Sequence, residues 1–238
     1  MPFTFSHPAI VLPLLKNHKL SATGLVIGAM CPDFEYFIKM KVESSMSHTF
    51  LGLFLFNLPV GLLIAVLFHS CIKKSLVDNL PAFVGNRLNV LRNSNWIDYL
   101  KRNVVKVLIS ILIGAASHIL WDSFTHKTGY FVTEIPFLQQ QIKNIPYYKI
   151  AQHLSSLFGM LFLLYFLLQF PAEEKQTQFQ HPKYWLFVVF LTIAFTVIRF
   201  VFCLSLAQIG NVIVSVISSI ILAMTFAGLA FGSKKIKH

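Results

Sequence analysis

Charge is what this sequence has least of. Only 12% of its 238 residues are Asp, Glu, Lys or Arg, and the two acidic types together number nine. Soluble domains are about a quarter charged, so this scarcity, beside 55% hydrophobic residues and 24 Phe, excludes an ordinary soluble globular protein. Cysteine is scarce as well. Cys31, Cys71 and Cys203 stand far apart with no C-x-x-C spacing, which excludes a disulfide framework and a thiolate-built zinc site. The opening Met-Pro-Phe-Thr-Phe-Ser-His has no basic start followed by an apolar core, so no cleavable signal peptide is expected. Neither an internal repeat nor a low-complexity tract is visible.

What is present in quantity is long apolar runs. Five are long enough to cross a bilayer: Phe50–Cys71, Val104–Phe124, Leu154–Phe170, Tyr184–Leu206 and Val212–Phe231. A sixth, Leu20–Met30, contains Gly24 and Gly28 and is stopped by Cys31-Pro32-Asp33. It is well short of the roughly 20 residues a span needs, which predicts a re-entrant or interfacial helix. Irregular backbone survives at membrane depth only where protein or a water-filled cavity covers it, so this segment is expected to line a site. The expected fold is an all-α integral membrane protein with about five transmembrane helices plus that N-terminal segment. Residues 1–170 would form the helical membrane domain that carries the site, and residues 171–238 a C-terminal helix pair of the same membrane unit.

The net charge is +11. In a soluble protein that would suggest nucleic acid, but here the basic residues fall between apolar runs, where they report topology. Placing 73–103, 171–183 and the tail Lys234-Lys235-Ile236-Lys237 in the cytoplasm satisfies the positive-inside rule three times over. Loops 127–150 and 207–211 then lie on the opposite face. The end of the central run, with Asp122 and His126, is expected at the periplasmic or extracellular face of a bacterial cytoplasmic membrane. Membrane lipids are the expected partners. Nucleic acid is not, because the basic loops lie opposite the site.

The central run closes in Ser117-His118-Ile-Leu-Trp121-Asp122-Ser-Phe-Thr125-His126. Helix positions four apart share a face, so His118, Asp122 and His126 form one stripe. His48 just before the first span, His153 just before the third, Asp33 after Pro32, and His7 in Phe5-Ser6-His7-Pro8 fall on the same side of the expected topology. Imidazole and carboxylate without thiolate suit a divalent metal, zinc first and manganese or iron as alternatives, and more than four such ligands suggest two ions. Ionisable groups near membrane depth are costly and have partners, which makes the set more informative than any member. His18, His69, His181 and His238 are read as solvated or structural, Arg199, kept out of the site, as marking a pathway or else snorkelling or paired with a backbone carbonyl, and Trp121 as packing in lipid.

The motifs Pro2-Phe-Thr-Phe-Ser-His7-Pro8, Gly28-Ala-Met-Cys-Pro32-Asp33-Phe34, Ser47-His48-Thr49, Ser117–His126 and Gln152-His153-Leu-Ser155-Ser156 resemble, in order across residues 1–160, a bacterial membrane family of unknown function, DUF4184. That family is similar to the YdjM-like membrane-bound proteins regarded as metal-dependent hydrolases. Both are distantly similar to zinc-dependent phospholipases C, all-helical enzymes with a trinuclear zinc site. The ligand order of those enzymes is echoed by His7, Asp33, His48, His118, Asp122 and His126. Their His-x-x-x-Glu motif is not, since His153 is followed four residues later by Leu157, and they also use a free amino terminus as a ligand. The resemblance implies a metal-dependent phosphoesterase acting on a phospholipid or lipid-linked phosphate. In it the six residues would be metal ligands, His153 a ligand or a support for one, and Asp33 or Asp122 a bridge between metals or the general base. An ion or metal transporter, or a membrane scaffold pinned by a metal, remain the alternatives.

Overall fold

The computed structural model describes residues 3–172, 182–203 and 208–232, without the side chain of Cys203. His181, His238, the basic tail at 234–237 and the amino-terminal residue lie outside the described residues. The chain is helical almost throughout. Five helices are long and apolar enough to cross a membrane, in the places the apolar runs predict.

Residues Thr4–Lys16 form a 3-10 helix. Then come α1 (Ala22–Gly28), α2 (Phe34–Lys39), α3 (Phe50–Asn79), α4 (Val104–Thr125), α5 (Tyr147–Leu168), α6 (Pro182–Cys203) and α7 (Ile209–Phe231). A two-residue hairpin, β1 (Gln141–Ile142) and β2 (Ile145–Pro146), is the only sheet among the described residues. α3 runs beyond the Cys71 end read from sequence, because π-helical turns at Leu53–Asn57 and Phe68–Ile72 carry the helix on past its basic residues.

The chain divides into two compact units, and the division is not at residue 170. The first comprises residues 1–34, 45–63 and 103–166, and the second 35–44, 64–102 and 167–238. The second unit thus adds two earlier segments to the C-terminal helix pair. Its core is Tyr184, Val188, Ala223 and Ala227, where α6 meets α7. Arg199 donates to the Met40 carbonyl at 3.3 Å, which gives the charge inside that apolar run a backbone partner, and His69 stacks on Trp96 with ring centroids 4.5 Å apart.

In the first unit, α1 packs directly on α4. Ser21 caps α1 by accepting from the Gly24 amide, and its own amide donates to Ser110 Oγ at 2.7 Å. Gly24 and Gly28 lie against Ser110, Ile111 and Gly114, the small-residue spacing that lets membrane helices approach closely. A methyl group on Gly28 would collide with the Ile111 carbonyl oxygen, and one on Gly114 with that of Leu25. The helix α1 is seven residues long and largely buried. It does not span, and it delivers the Cys31–Asp33 turn to the flank of α4.

A candidate metal centre on α4

Four pieces of the first unit converge on one face of α4. His118 and Asp122, four residues apart, point the same way and are buried. The helix ends at Thr125, so His126 is its C-cap in extended conformation rather than the next residue of a helical stripe. Its amide still bonds to the Asp122 carbonyl, and its Nδ1 lies 3.4 Å from Asp122 Oδ1. The 3-10 segment contributes His7, whose ring stacks on that of His118 at 3.7 Å. The turn after α1 contributes Asp33. The loop before α3 contributes His48, held in place because the π-turn residue Asn57 donates to the Ser47 carbonyl at 2.7 Å.

The distances between these groups fall in one range. Asp33 Oδ1 is 3.6 Å from His118 Nε2 and 3.7 Å from His48 Nε2. Asp122 Oδ2 is 3.3 Å from His118 Nε2 and 3.5 Å from His48 Nε2. Asp122 Oδ1 is 3.6 Å from His7 Nε2 and 3.4 Å from His126 Nδ1. Hydrogen bonds between nitrogen and oxygen are about 2.7–3.2 Å long, so these pairs lie beyond the usual hydrogen-bond range while staying within reach of an ion pair. Ligand bonds of about 2.0–2.2 Å around a tetrahedral zinc place neighbouring ligand atoms about 3.4 Å apart. One ligand atom from each of Asp33, His48, His118 and Asp122 lies within 4.8 Å of the others, so the four could hold a metal ion.

The surrounding bonds aim the ligand atoms inward. His118 Nδ1 lies 2.8 Å from the Ala29 carbonyl, which makes that nitrogen the N–H donor and turns Nε2 to the cluster. Ser47 Oγ meets His48 Nδ1 at 3.0 Å, so that Nε2 is the ring nitrogen facing the carboxylates. Thr4 donates to Asp33 Oδ2 at 2.5 Å, leaving Oδ1 for the histidines. Both nitrogens of His7, Asp33 Oδ1, His118 Nε2 and Asp122 Oδ1 are buried without a hydrogen-bond partner. Such groups are expensive to bury unless something else satisfies them. Burial, with His118 alongside, lowers the His7 pKa to about 3, so its lone pairs are free at neutral pH. For Asp33 burial acts to raise the pKa, but His118 and then His7 outweigh it and hold the carboxyl below its ordinary value.

Of the seven residues read from sequence, six are brought together. His153 is not. It is exposed on α5 and forms no hydrogen bond or ion pair with the cluster among the described residues, whereas its neighbour Gln152 is buried. Trp121 is half-buried, with Nε1 donating to Ser155 Oγ at 3.1 Å and its ring 5.5 Å from that of His7. Thr4, Ser47 and Asn57 were not singled out from the sequence. Thr4 and Ser47 sit inside the motifs that carry His7 and His48, which is the one signal that could have found them.

A family model described as Domain of unknown function (DUF4184) matches residues 1–229. The chain belongs to this family. The match runs well past residue 160, so the DUF4184 unit takes in the C-terminal helices as well as the motif-bearing ones. No curated protein and no solved structure matches the chain significantly.

Proposed function

We propose that this protein is a membrane-embedded, metal-dependent hydrolase, a phosphoesterase acting on a phospholipid or a lipid-linked phosphate. The observation that carries the reading is the grouping of Asp33, His48, His118 and Asp122, one ligand atom from each lying within 4.8 Å of the others, with Asp33 Oδ1 and His118 Nε2 buried without a hydrogen-bond partner. The donors are nitrogen and oxygen only. The nearby Cys31 thiol is turned away, donating to the Asn57 carbonyl at 3.1 Å. That donor set favours zinc, with manganese or iron as alternatives.

Two ions suit the geometry better than one, because the oxygens of Asp122 face different partners. Oδ2 looks toward His48 and His118, which with Asp33 make one four-residue set. Oδ1 looks toward His7 Nε2 at 3.6 Å and toward His126, whose Nδ1 also lies 3.2 Å from the Asp122 carbonyl oxygen. A bound metal would supply a grip on phosphate oxygens and a water of lowered pKa at these residues. Asp33, His48, His118 and Asp122 would hold such a metal, with Asp33 Oδ2 fixed by the Thr4 hydroxyl. Asp33 or Asp122 would be the group to accept a proton from an attacking water. The motif resemblance to membrane-bound metal-dependent hydrolases supports the same class. By the positive-inside rule the site faces the outer side of the cytoplasmic membrane, with the C-terminus inside.

The test is metal content by mass spectrometry of protein purified in detergent without a polyhistidine tag, beside a hydrolysis screen on phospholipid and polyprenyl-phosphate micelles. Near-stoichiometric metal, lost in a His118→Ala/Asp122→Asn double variant together with phosphate release, supports the hydrolase. Bound metal with no turnover of any phosphate ester, and a double variant that fails to fold, would replace it with a metal-pinned scaffold.

A further inference from the structure

The segment between α4 and α5 carries an apolar surface that neither the metal centre nor the spans explain. Residues 127–149 begin immediately after His126 and contain Lys127, Lys143 and Lys149 against a single acidic residue, Glu134. They are well ordered. The hairpin pairs Ile142 with Ile145, Lys143 and Asn144 take the positive φ values of its turn, and the Tyr147 amide donates to the Gln140 carbonyl at 2.9 Å. Gln139 Nε2 donates to the Val132 carbonyl, fastening the hairpin arm to the preceding short helix Tyr130–Glu134.

This ordered segment nevertheless leaves Tyr130, Ile135, Phe137, Ile142 and Ile145 exposed, with Phe137 at 60% and Ile142 at 52%. Ile142 and Ile145 are directly opposed in the hairpin and therefore share a face. A soluble surface does not usually gather this many large apolar groups on one short segment. Both ends of the segment are tied to helices long and apolar enough to span, α4 before it and α5 after it. The tether holds the segment at the bilayer surface, and its excess of exposed lysines complements anionic headgroups.

We infer that residues 130–146 form an interfacial element whose apolar side chains, Phe137 and the Ile142/Ile145 pair foremost, insert at the headgroup–acyl boundary of the bilayer, beside the end of α4 that carries the metal ligands. Apolar groups embedded to that depth with lysines at the phosphates are the arrangement of amphipathic membrane-surface elements. The occupant of this face is bilayer lipid, not a protein. The inference stands whether or not the site hydrolyses anything.

The experiment uses the full-length protein reconstituted in phosphatidylcholine/phosphatidylglycerol vesicles. Phe137→Trp and Ile142→Trp are each compared with the parent, whose own tryptophan signal is subtracted, in lipids brominated at successive depths along the acyl chain. A Thr128→Trp variant serves as a control on the same connection. The added emission at 137 and 142 should be quenched at least twofold more by bromines near the headgroup than by deep ones, and should resist aqueous iodide. Quenching by iodide with no response to brominated lipid would overturn the inference, since the segment would then stand in water. Resistance to both quenchers would also overturn it, because a second copy of the chain would then cover the face.

Discussion

The hydroxyl of Thr4 offers the sharpest test of the metal centre, because it touches no ligand atom that faces the cluster. It donates to Asp33 Oδ2 at 2.5 Å, and the two residues are 4% and 1% exposed, so water has little room to replace it. Thr4→Val removes the donor while keeping the side-chain shape. A hydrogen bond to a charged group contributes about 1.5–3 kcal/mol, and losing a partner of this kind costs a metal site about 10- to 100-fold in affinity. The expectation is therefore a metal Kd raised by one to two orders of magnitude, equivalent to about 1.4–2.8 kcal/mol. Competition against a chromophoric chelator in detergent measures it, and Thr4→Ser should restore most of the loss. A Thr4→Val protein that folds and binds metal within about twofold of the parent would refute the claim that Thr4 orients Asp33.

Three other outcomes follow from the same structure. Gly28→Ala drives a methyl group into the Ile111 carbonyl, where backbone cannot yield, so overpacking of about 1–3 kcal/mol should lower the melting temperature in detergent by several degrees and weaken metal retention; an unchanged melt would mean that α1 does not pack on α4 this closely. Burial raises the Cys31 thiol to about 12, above the roughly 8.5 of an unfolded chain, so the stabilisation linked to its neutral form is complete below about pH 8.5 and is lost as the pH climbs toward 12. At pH 8 N-ethylmaleimide should therefore spare Cys31 and modify the partly exposed Cys71, as peptide mass mapping would show; equal labelling would contradict the burial. Chelation should lower the melting temperature and added zinc should recover it, because the ion binds the folded state and relieves its buried ligand atoms; a melt indifferent to both treatments would argue against any metal.

The spans were legible in the sequence because hydrocarbon accepts little except an apolar helix of sufficient length, and composition alone reports that. The failure of Leu20–Met30 to span was legible for the same reason, and so was the pairing of His118 with Asp122, which is a property of helical period. The extent of α3 was not. Nothing local marks the π-helical turns that carry it to Asn79, and the basic residues there read as a helix end although Lys73 is buried, donating to Ser94. Ile142 and Ile145 in the loop at 127–150, both visible in the sequence and both exposed, acquire a common face only through the hairpin pairing.

The sequence by itself determined that this is a membrane protein of five long apolar helices, and which residue types are available to bind a metal. Only the tertiary structure decided which of them come together. His126 stays in the set although the helix ends before it, because its side chain folds back on Asp122. His153 leaves the set although it falls on the same side of the expected topology, because its side chain is exposed. His7 enters it from far away in the chain because Gly28 and Gly114 let α1 and α4 come close enough to form the floor on which the 3-10 segment rests. Helical period is local and can be read from neighbours. Which nitrogen of a histidine faces a carboxylate depends on the Ala29 carbonyl and the Ser47 hydroxyl behind it, and those are brought there only by packing.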